Sequence, residues 1–222
     1  MRPLVILRPQ PGAGATAEAA RQLGLEPVVA PLFRIEPVGW QPPDPAAFDA
    51  LLLTSANAVA KAGDGLREFA SLPVYSVGEA TAAAARGAGL SVAGVGTAGV
   101  DALLESIPGD LRLLHPCGIH RRAPSKRHVE ALPVYEAVVL PAPQALLGAA
   151  DAVIAVHSPR AGRRLRELAE GGEIDPAGIG IVAISEEAAT AAGPGWQAVE
   201  AAGEPTDAAL LAIASRLCKN PG

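Results

Sequence analysis

The 222 residues are half hydrophobic but only 3% aromatic. The cores must therefore be built from Ala, Val, Leu and Ile, a mix that suits helices packed closely on parallel strands, and the length suits two lobes of about 100 residues each. A net charge of −5 and a pI near 5.4, with neither stacking aromatics nor a long basic stripe, exclude a nucleic-acid binder and a protein drawn to anionic membranes.

The chain opens on Met1-Arg2-Pro3 and an apolar run, Leu4 to Leu7, that stops at Arg8-Pro9. This run is too short for a signal-peptide core and reads as a first strand. Charges and prolines break every later apolar stretch before about 18 residues, so no membrane span is expected. Cys117 and Cys218 form no spaced framework, which points to a reducing compartment and a soluble, cytoplasmic protein. After the first strand, Gly12-Ala13-Gly14-Ala15-Thr16-Ala17 loosely matches a dinucleotide fingerprint. That fingerprint also needs an acidic residue closing the second strand, and here the strand ends Val28-Val29-Ala30-Pro31.

The rest of the chain repeats itself. DALLLTSANAV from Asp49 resembles DAVIAVHSPRAG from Asp151, with Ser55 aligned on Ser158. LPVYSVGEATAAAA from Leu72 resembles GIGIVAISEEAATAA from Gly178, and GTAGVDALLESI from Gly96 resembles EPTDAALLAIASRL from Glu204. Each copy reads strand, helix, strand, helix, short strand, helix. Two smaller segments also match: the opening LVILRPQPGAG…FRIEPV, and LRLLHPCGIHRRAPSKRHVEALPVYEAVVLPAP between the larger copies. The order is small, large, small, large.

Continuous apolar runs separated by helical patterns predict parallel α/β sheets. If the first small piece joins the second large one, the chain crosses between lobes twice, through 33–37 and 134–143. Both crossings are rich in β-branched residues and proline, which suits paired strands better than a flexible linker. This arrangement makes 1–34 with 143–222 a discontinuous first lobe and 38–133 a second. Lobes joined in this way leave a cleft facing the carboxyl ends of the strands, where ligands are expected.

The strand-to-helix turns carry Thr54-Ser55, Gly78 to Thr81, Gly96 to Gly99, Ser158-Pro159 and Ser185. Each has a small hydroxyl residue placed either to cap a helix or to donate to a carboxylate, and both readings stay open. His115, Cys117 and His120 are close in sequence, but no second pair has ligand spacing, and Pro116 and Gly118 suggest a loop, so no metal is expected. The basic run Arg121 to Arg127 reads as a solvated loop or as a lid over an anionic substrate. Tyr135, one of two tyrosines, lies in the second crossing, either as a phenol available for donation or as a ring packed with its hydroxyl wet.

ILRP, FRIEP, FDALLLTSANAV, YSVGEATAAAA, GTAGVDALL, LPVYEAV, the Ser-Pro turn and GEPTDAALLAIA, in this order and nearly end to end, together resemble the uroporphyrinogen-III synthases. The resemblance implies an α/β protein of two flavodoxin-like, doubly wound lobes joined by a two-stranded linker. It also implies a cofactor-free, cyclising hydro-lyase that turns hydroxymethylbilane into uroporphyrinogen III and water, inverting the terminal pyrrole through a spiro intermediate. A monomer and a transient hand-over from hydroxymethylbilane synthase follow from the same resemblance. So do substrate contacts at Arg8, Ser55, Thr81, Thr97 and Ser158, with Tyr135 as the catalytic donor. Where many members have threonine after the penultimate large strand, this chain has Ser185, which would substitute. The segment 117–128 departs from the family's glycine-rich turn and helix. Two competing readings are a non-enzymatic two-lobed binding protein, which usually carries the secretion signal missing here, and a nucleotide-dependent α/β enzyme.

Overall fold

The computed structural model describes residues 1–97, 99–121, 124 and 127–219. In chain order the elements are β1 (Leu4–Ile6), α1 (Gly12–Gln22), β2 (Pro27–Val29), β3 (Phe33–Pro37), β4 (Ala50–Leu53), α2 (Ala56–Ala62), β5 (Val74–Val77) and α3 (Glu79–Gly87). There follow β6 (Val92–Gly96), α4 (Val100–Ser106), β7 (Leu113–Gly118), β8 (Glu130–Val139), α5 (Gln144–Leu147), β9 (Val153–Val156) and α6 (Pro159–Glu170). The chain ends with β10 (Gly180–Ala183), α7 (Glu186–Ala192), β11 (Ala198–Ala201) and α8 (Asp207–Lys219). This is a mixed α/β fold with parallel sheets. It divides into two compact units, Met1–Arg34 with Val139–Gly222, and Ile35–Val138. No helix among the described residues is long and apolar enough to cross a membrane.

The first unit holds a sheet of order β11-β10-β9-β1-β2, every neighbouring pair parallel. The first small segment thus supplies two strands to this sheet, β1 paired with β9 of the second large copy and β2 at the edge beyond it. Its central strands are buried along their whole length, as continuous apolar runs require when helices cover both faces. Leu4, Ile6, Val153 and Ala155 pack against Ala13 and Ala17 of α1 and Leu210, Leu211 and Ala214 of α8.

Side-chain alternation turns Val5 and Ile154 to the opposite face. Helices α6 and α7 approach closely because α6 carries a glycine at the crossing. A Cβ on Gly162 would meet Ala188 O at 2.7 Å and Ala192 N at 3.0 Å. Alanine normally favours a helix over glycine, yet Gly162→Ala is expected to lower unfolding stability by about 1–3 kcal/mol through overpacking against backbone. Denaturant unfolding checks this, and an unchanged or raised stability would show that the two helices separate without penalty.

The second unit holds a sheet of order β3-β8-β7-β4-β5-β6, with β8-β7, β7-β4, β4-β5 and β5-β6 all parallel. Alternation along β4 divides its core. Leu51 and Leu53 pack with α2, α3, Phe48 and Phe69, while Ala50 and Leu52 pack with Leu103, Leu104 and Ile107 on the other face. Strand β8 runs from Glu130 to Val139, so it begins before the expected crossing segment 134–143 and ends before that segment does.

The expected loop at Pro116 and Gly118 is instead strand β7, buried at all six positions. Proline is tolerated there because β4 pairs only with Leu113 and Leu114, so Pro116 interrupts no bond on that side. The sequence readings of 117–128 and of the basic run Arg121 to Arg127 fall partly on Arg122, Ala123, Ser125 and Lys126, which lie outside the described residues.

The duplication also shows at the amino edges of the two sheets. Arg2 pairs with Asp151 at 2.7 Å beneath the β1-β9 pair, and Arg112 pairs with Asp49 at 2.9 Å beneath β7-β4. Each acid opens a large copy and each arginine opens a small one. Arg112 reaches both carboxylate oxygens, and these side-chain bonds, with its backbone N–H, hold Asp49 well below the usual range at about 2.

Candidate active site

In a parallel sheet all carboxyl ends lie on one edge, so residues that directly follow different strands gather there. In the six-stranded sheet this edge holds a cavity of about 310 Å³ lined by Thr54, Ser55, His115, Cys117, Gly118, His120, Arg121 and Tyr135, with Val77 and Val100. Thr54 and Ser55 come from the turn after β4. Ser55 has an extended backbone, and its Oγ accepts from Asn57 N at 3.2 Å, capping α2. Tyr135 sits opposite Gly118 in the β7-β8 pairing. A Cβ on Gly118 would lie 2.8 Å from the ring's Cε2 and 2.9 Å from Cζ, so the bare glycine provides the floor on which the phenol lies.

Tyr135, Cys117 and His115 are held neutral here. Burial pushes the Tyr135 phenol up, and a hydrogen bond from Ser55 opposes that shift. The phenol therefore keeps its proton at neutral pH and is a hydrogen-bond donor. Burial likewise raises the Cys117 thiol, which makes it a poor nucleophile. Burial, and secondarily the charge of Arg121, lowers His115 to about 4, so its imidazole is neutral. His115 Nε2 lies 3.0 Å from Thr54 Oγ1. Such a site can donate hydrogen bonds to a departing oxygen, and Arg121 adds a cation at its margin.

The carboxyl edge of the five-stranded sheet is ionic instead. Arg8, just beyond β1, donates from Nη1 to Asp207 Oδ1 at 3.0 Å and to Thr16 Oγ1 at 3.2 Å. Thr16 donates to Asp207 Oδ2 at 2.6 Å, and His157 Nε2 stands 3.3 Å from Oδ1. Burial of the Asp207 carboxyl acts to raise its pKa. The contacts with His157 and Thr16 and the charge of Arg8 outweigh burial and hold it at about 2. The Arg8 guanidinium rests on Gly12, where a Cβ would come within 2.6 Å of Nε and 2.7 Å of Nη2. The glycine at the start of the Gly12-Ala13-Gly14 run thus makes room for a side chain of the chain itself.

The family profile described as uroporphyrinogen-III synthase HemD matches residues 14–212. The chain belongs to the uroporphyrinogen-III synthase family. These enzymes are cyclising lyases of haem biosynthesis. Among solved structures, a uroporphyrinogen-III synthetase from Helicobacter pylori is similar, with a TM-score of 0.61 and 17% identity over 98% of this chain and 100% of that one. A mutant uroporphyrinogen III synthase from the extremely thermophilic bacterium Thermus thermophilus has a TM-score of 0.52 and 16% identity over 98% and 100%. No curated protein sequence matches the chain. At these identities the structures speak for the fold, and the family profile speaks for the activity.

Except for Tyr135, which lies within β8, each residue expected of a uroporphyrinogen-III synthase site follows the carboxyl end of a strand. Ser55 and Tyr135 come together at the cavity. Thr81 and Thr97 do not cap their helices as one sequence reading allowed, because Gly78 and Gly99 occupy those cap positions with φ of 80° and 91°. Thr81 is buried in the first turn of α3, and Thr97 is exposed between β6 and α4. On the five-stranded sheet, Ser158 Oγ accepts from Ala161 N at 3.2 Å and Ser185 Oγ from Ala188 N at 3.3 Å. Arg160, beside Ser158, stacks over Phe33 at 4.5 Å.

Sequence reasoning missed His157 and Asp207, named Thr16 only in the dinucleotide-like run and Thr54 only in the turn it shares with Ser55, and considered His115 only as a metal ligand. The repeat contained a signal for several of them. Arg8-Pro9 and His115-Pro116 occupy matching places in the small segments, and Thr54-Ser55 matches His157-Ser158 in the large ones. Among the described residues, no group of three His, Cys, Asp or Glu side chains is arranged to hold a metal.

Proposed function

We propose that the carboxyl edge of the six-stranded sheet is where this chain dehydrates and closes hydroxymethylbilane, with Tyr135 as the donor to the departing hydroxyl. The observation that carries this reading is the Tyr135 ring fixed over Gly118 in the cavity that Ser55 also lines, with its phenol pushed up by burial.

The substrate supplies most of the reactivity. The terminal pyrrole nitrogen pushes electrons toward the hydroxymethyl carbon, its C–O bond breaks, and the oxygen leaves as water with a proton drawn through Tyr135. The resulting azafulvenium carbon is attacked by the substituted carbon of the far terminal pyrrole, giving a spiro intermediate. That pyrrole then detaches and reattaches in the inverted sense, and loss of a ring proton restores aromaticity and the phenol. Attack at the free carbon instead gives isomer I, so the protein's contribution is orientation and hydrogen bonding.

Hydroxyls and helix N-termini suit the acetate and propionate arms. We assign this task to Ser55, Thr81 and Thr97 on one sheet and to Ser158 and Ser185 on the other. Arg8 joins them through whatever donor capacity its pairing with Asp207 leaves. The same reading takes the protein as a cytoplasmic monomer of two flavodoxin-like lobes, 1–34 with 143–222 and 38–133, joined by strands at 33–37 and 134–143. It needs no cofactor, and it receives its unstable substrate from hydroxymethylbilane synthase.

The test is to supply hydroxymethylbilane, oxidise the products and determine the ratio of isomer III to isomer I. Isomer III should dominate. A mixture unchanged from the spontaneous one would overturn the reading.

A further inference from the structure

His115 has no part in the chemistry above, yet it is 2% exposed and lines the same cavity as Tyr135. A buried imidazole is an unfavourable choice for stability alone. Its Nδ1 has no hydrogen-bond partner among the described residues, and an unpaired buried polar atom is destabilising where a leucine or phenylalanine would pack freely. Residues retained against stability in this way are most often found where function requires them.

The backbone register shows what the imidazole accomplishes. Strands β7 and β4 pair at Leu113 with Ala50 and at Leu114 with Leu51, and the described pairing stops there. One residue further along β7, His115 reaches across to Thr54, beyond the end of β4, and replaces the missing ladder with a side-chain bond of 3.0 Å. The residue after Thr54 is Ser55, which lines the same cavity as the Tyr135 phenol and opposes the upward shift of that phenol. The equivalent position of the other repeat is again polar and again tied to the end of the adjacent strand, through Arg8, Asp207 and His157.

We propose that His115 is a positioning residue that acts through Thr54 to fix the Ser55 hydroxyl against Tyr135. The inference rests on the assignment of Tyr135 as the donor. It is not itself a catalytic residue, because the ring is covered and its free nitrogen has no exposed surface.

The test uses the full chain with Tyr75→Phe, which leaves Tyr135 as the sole tyrosine and its ring NMR signal as a probe of phenol ionisation. In His115→Phe and in Thr54→Val the ionisation midpoint should move upward, because the Ser55 bond that favours the phenolate is loosened. Isomer III formation should fall about fivefold through kcat, the size expected for one lost hydrogen bond. The double variant should be no worse than either single one, since both remove the same bond. His115→Gln, which returns an amide nitrogen near the Nε2 position, should recover most of the rate.

Unchanged phenol ionisation, or losses that add in the double variant, would overturn the proposal. Thr54→Val is nearly isosteric and half-buried, so it carries the test if His115→Phe does not fold. An inactive parent would refute the assigned reaction, while the titration would still decide whether His115 positions Ser55.

Discussion

Tyr135→Phe is expected to slow isomer III formation by at least about tenfold, the lower end of what a general acid or charge-stabilising donor contributes. The substitution removes one oxygen and leaves the ring on Gly118, so the packing that places it between β7 and β8 persists. The phenol is pushed up by burial, which makes it a weak acid for complete proton transfer but a reliable hydrogen-bond donor over the whole neutral range. Its effect should therefore appear in kcat, where charge develops on the leaving oxygen, more than in KM. The competing spontaneous closure is untouched, so the product should drift toward isomer I as the enzymatic route slows. Near-parental turnover with unchanged thermal stability would remove Tyr135 from this role. The departing hydroxyl would then need another donor, and Arg121 lines the same cavity.

The sequence made the sheets legible because their central strands are buried on both faces. Runs such as Leu51 to Leu53 and Val153 to Val156 have no polar alternation to confuse them with surface strands. The repeat left the first small segment free to join either large copy, and the composition of the two crossings favoured the second; β1 pairs in parallel with β9 and β7 with β4. Local chemistry misled where long-range pairing prevailed. Pro116 and Gly118 carry loop signals, yet β8 pairs along the whole of that segment. Serine caps were readable at Ser55, Ser158 and Ser185, where the hydroxyl sits one residue before the helix. At Thr81 and Thr97, glycines with positive φ start the helices instead. The Arg8–Asp207 pair joins positions 199 residues apart, and no local pattern announces such a contact.

Acid titration offers the sharpest physical test of the His115 environment. Stability is expected to fall by about 3 kcal/mol between pH 7 and pH 4, and His115→Phe should abolish most of that fall. An imidazole in an unfolded chain titrates near 6.5, while burial first and the charge of Arg121 second hold His115 at about 4 in the native chain. Between those values the unfolded chain binds a proton that the native chain refuses, so adding acid through this window favours unfolding. A separation of about 2.5 units at 1.36 kcal/mol each gives the quoted size. Screening removes little of it because the residue is 2% exposed. Asp49 and Asp207 act lower on the scale. Each is held at about 2 against an ordinary 3.8, so the stabilisation they contribute is complete above the ordinary value and fades as pH falls toward 2. Denaturant unfolding at about pH 7, 5.5 and 4 therefore isolates the imidazole. The variant should be the more stable protein in acid and the less active one at neutrality, a pairing that separates a positioning role from plain core packing. A variant that kept the parent's steep acid dependence would place its source elsewhere.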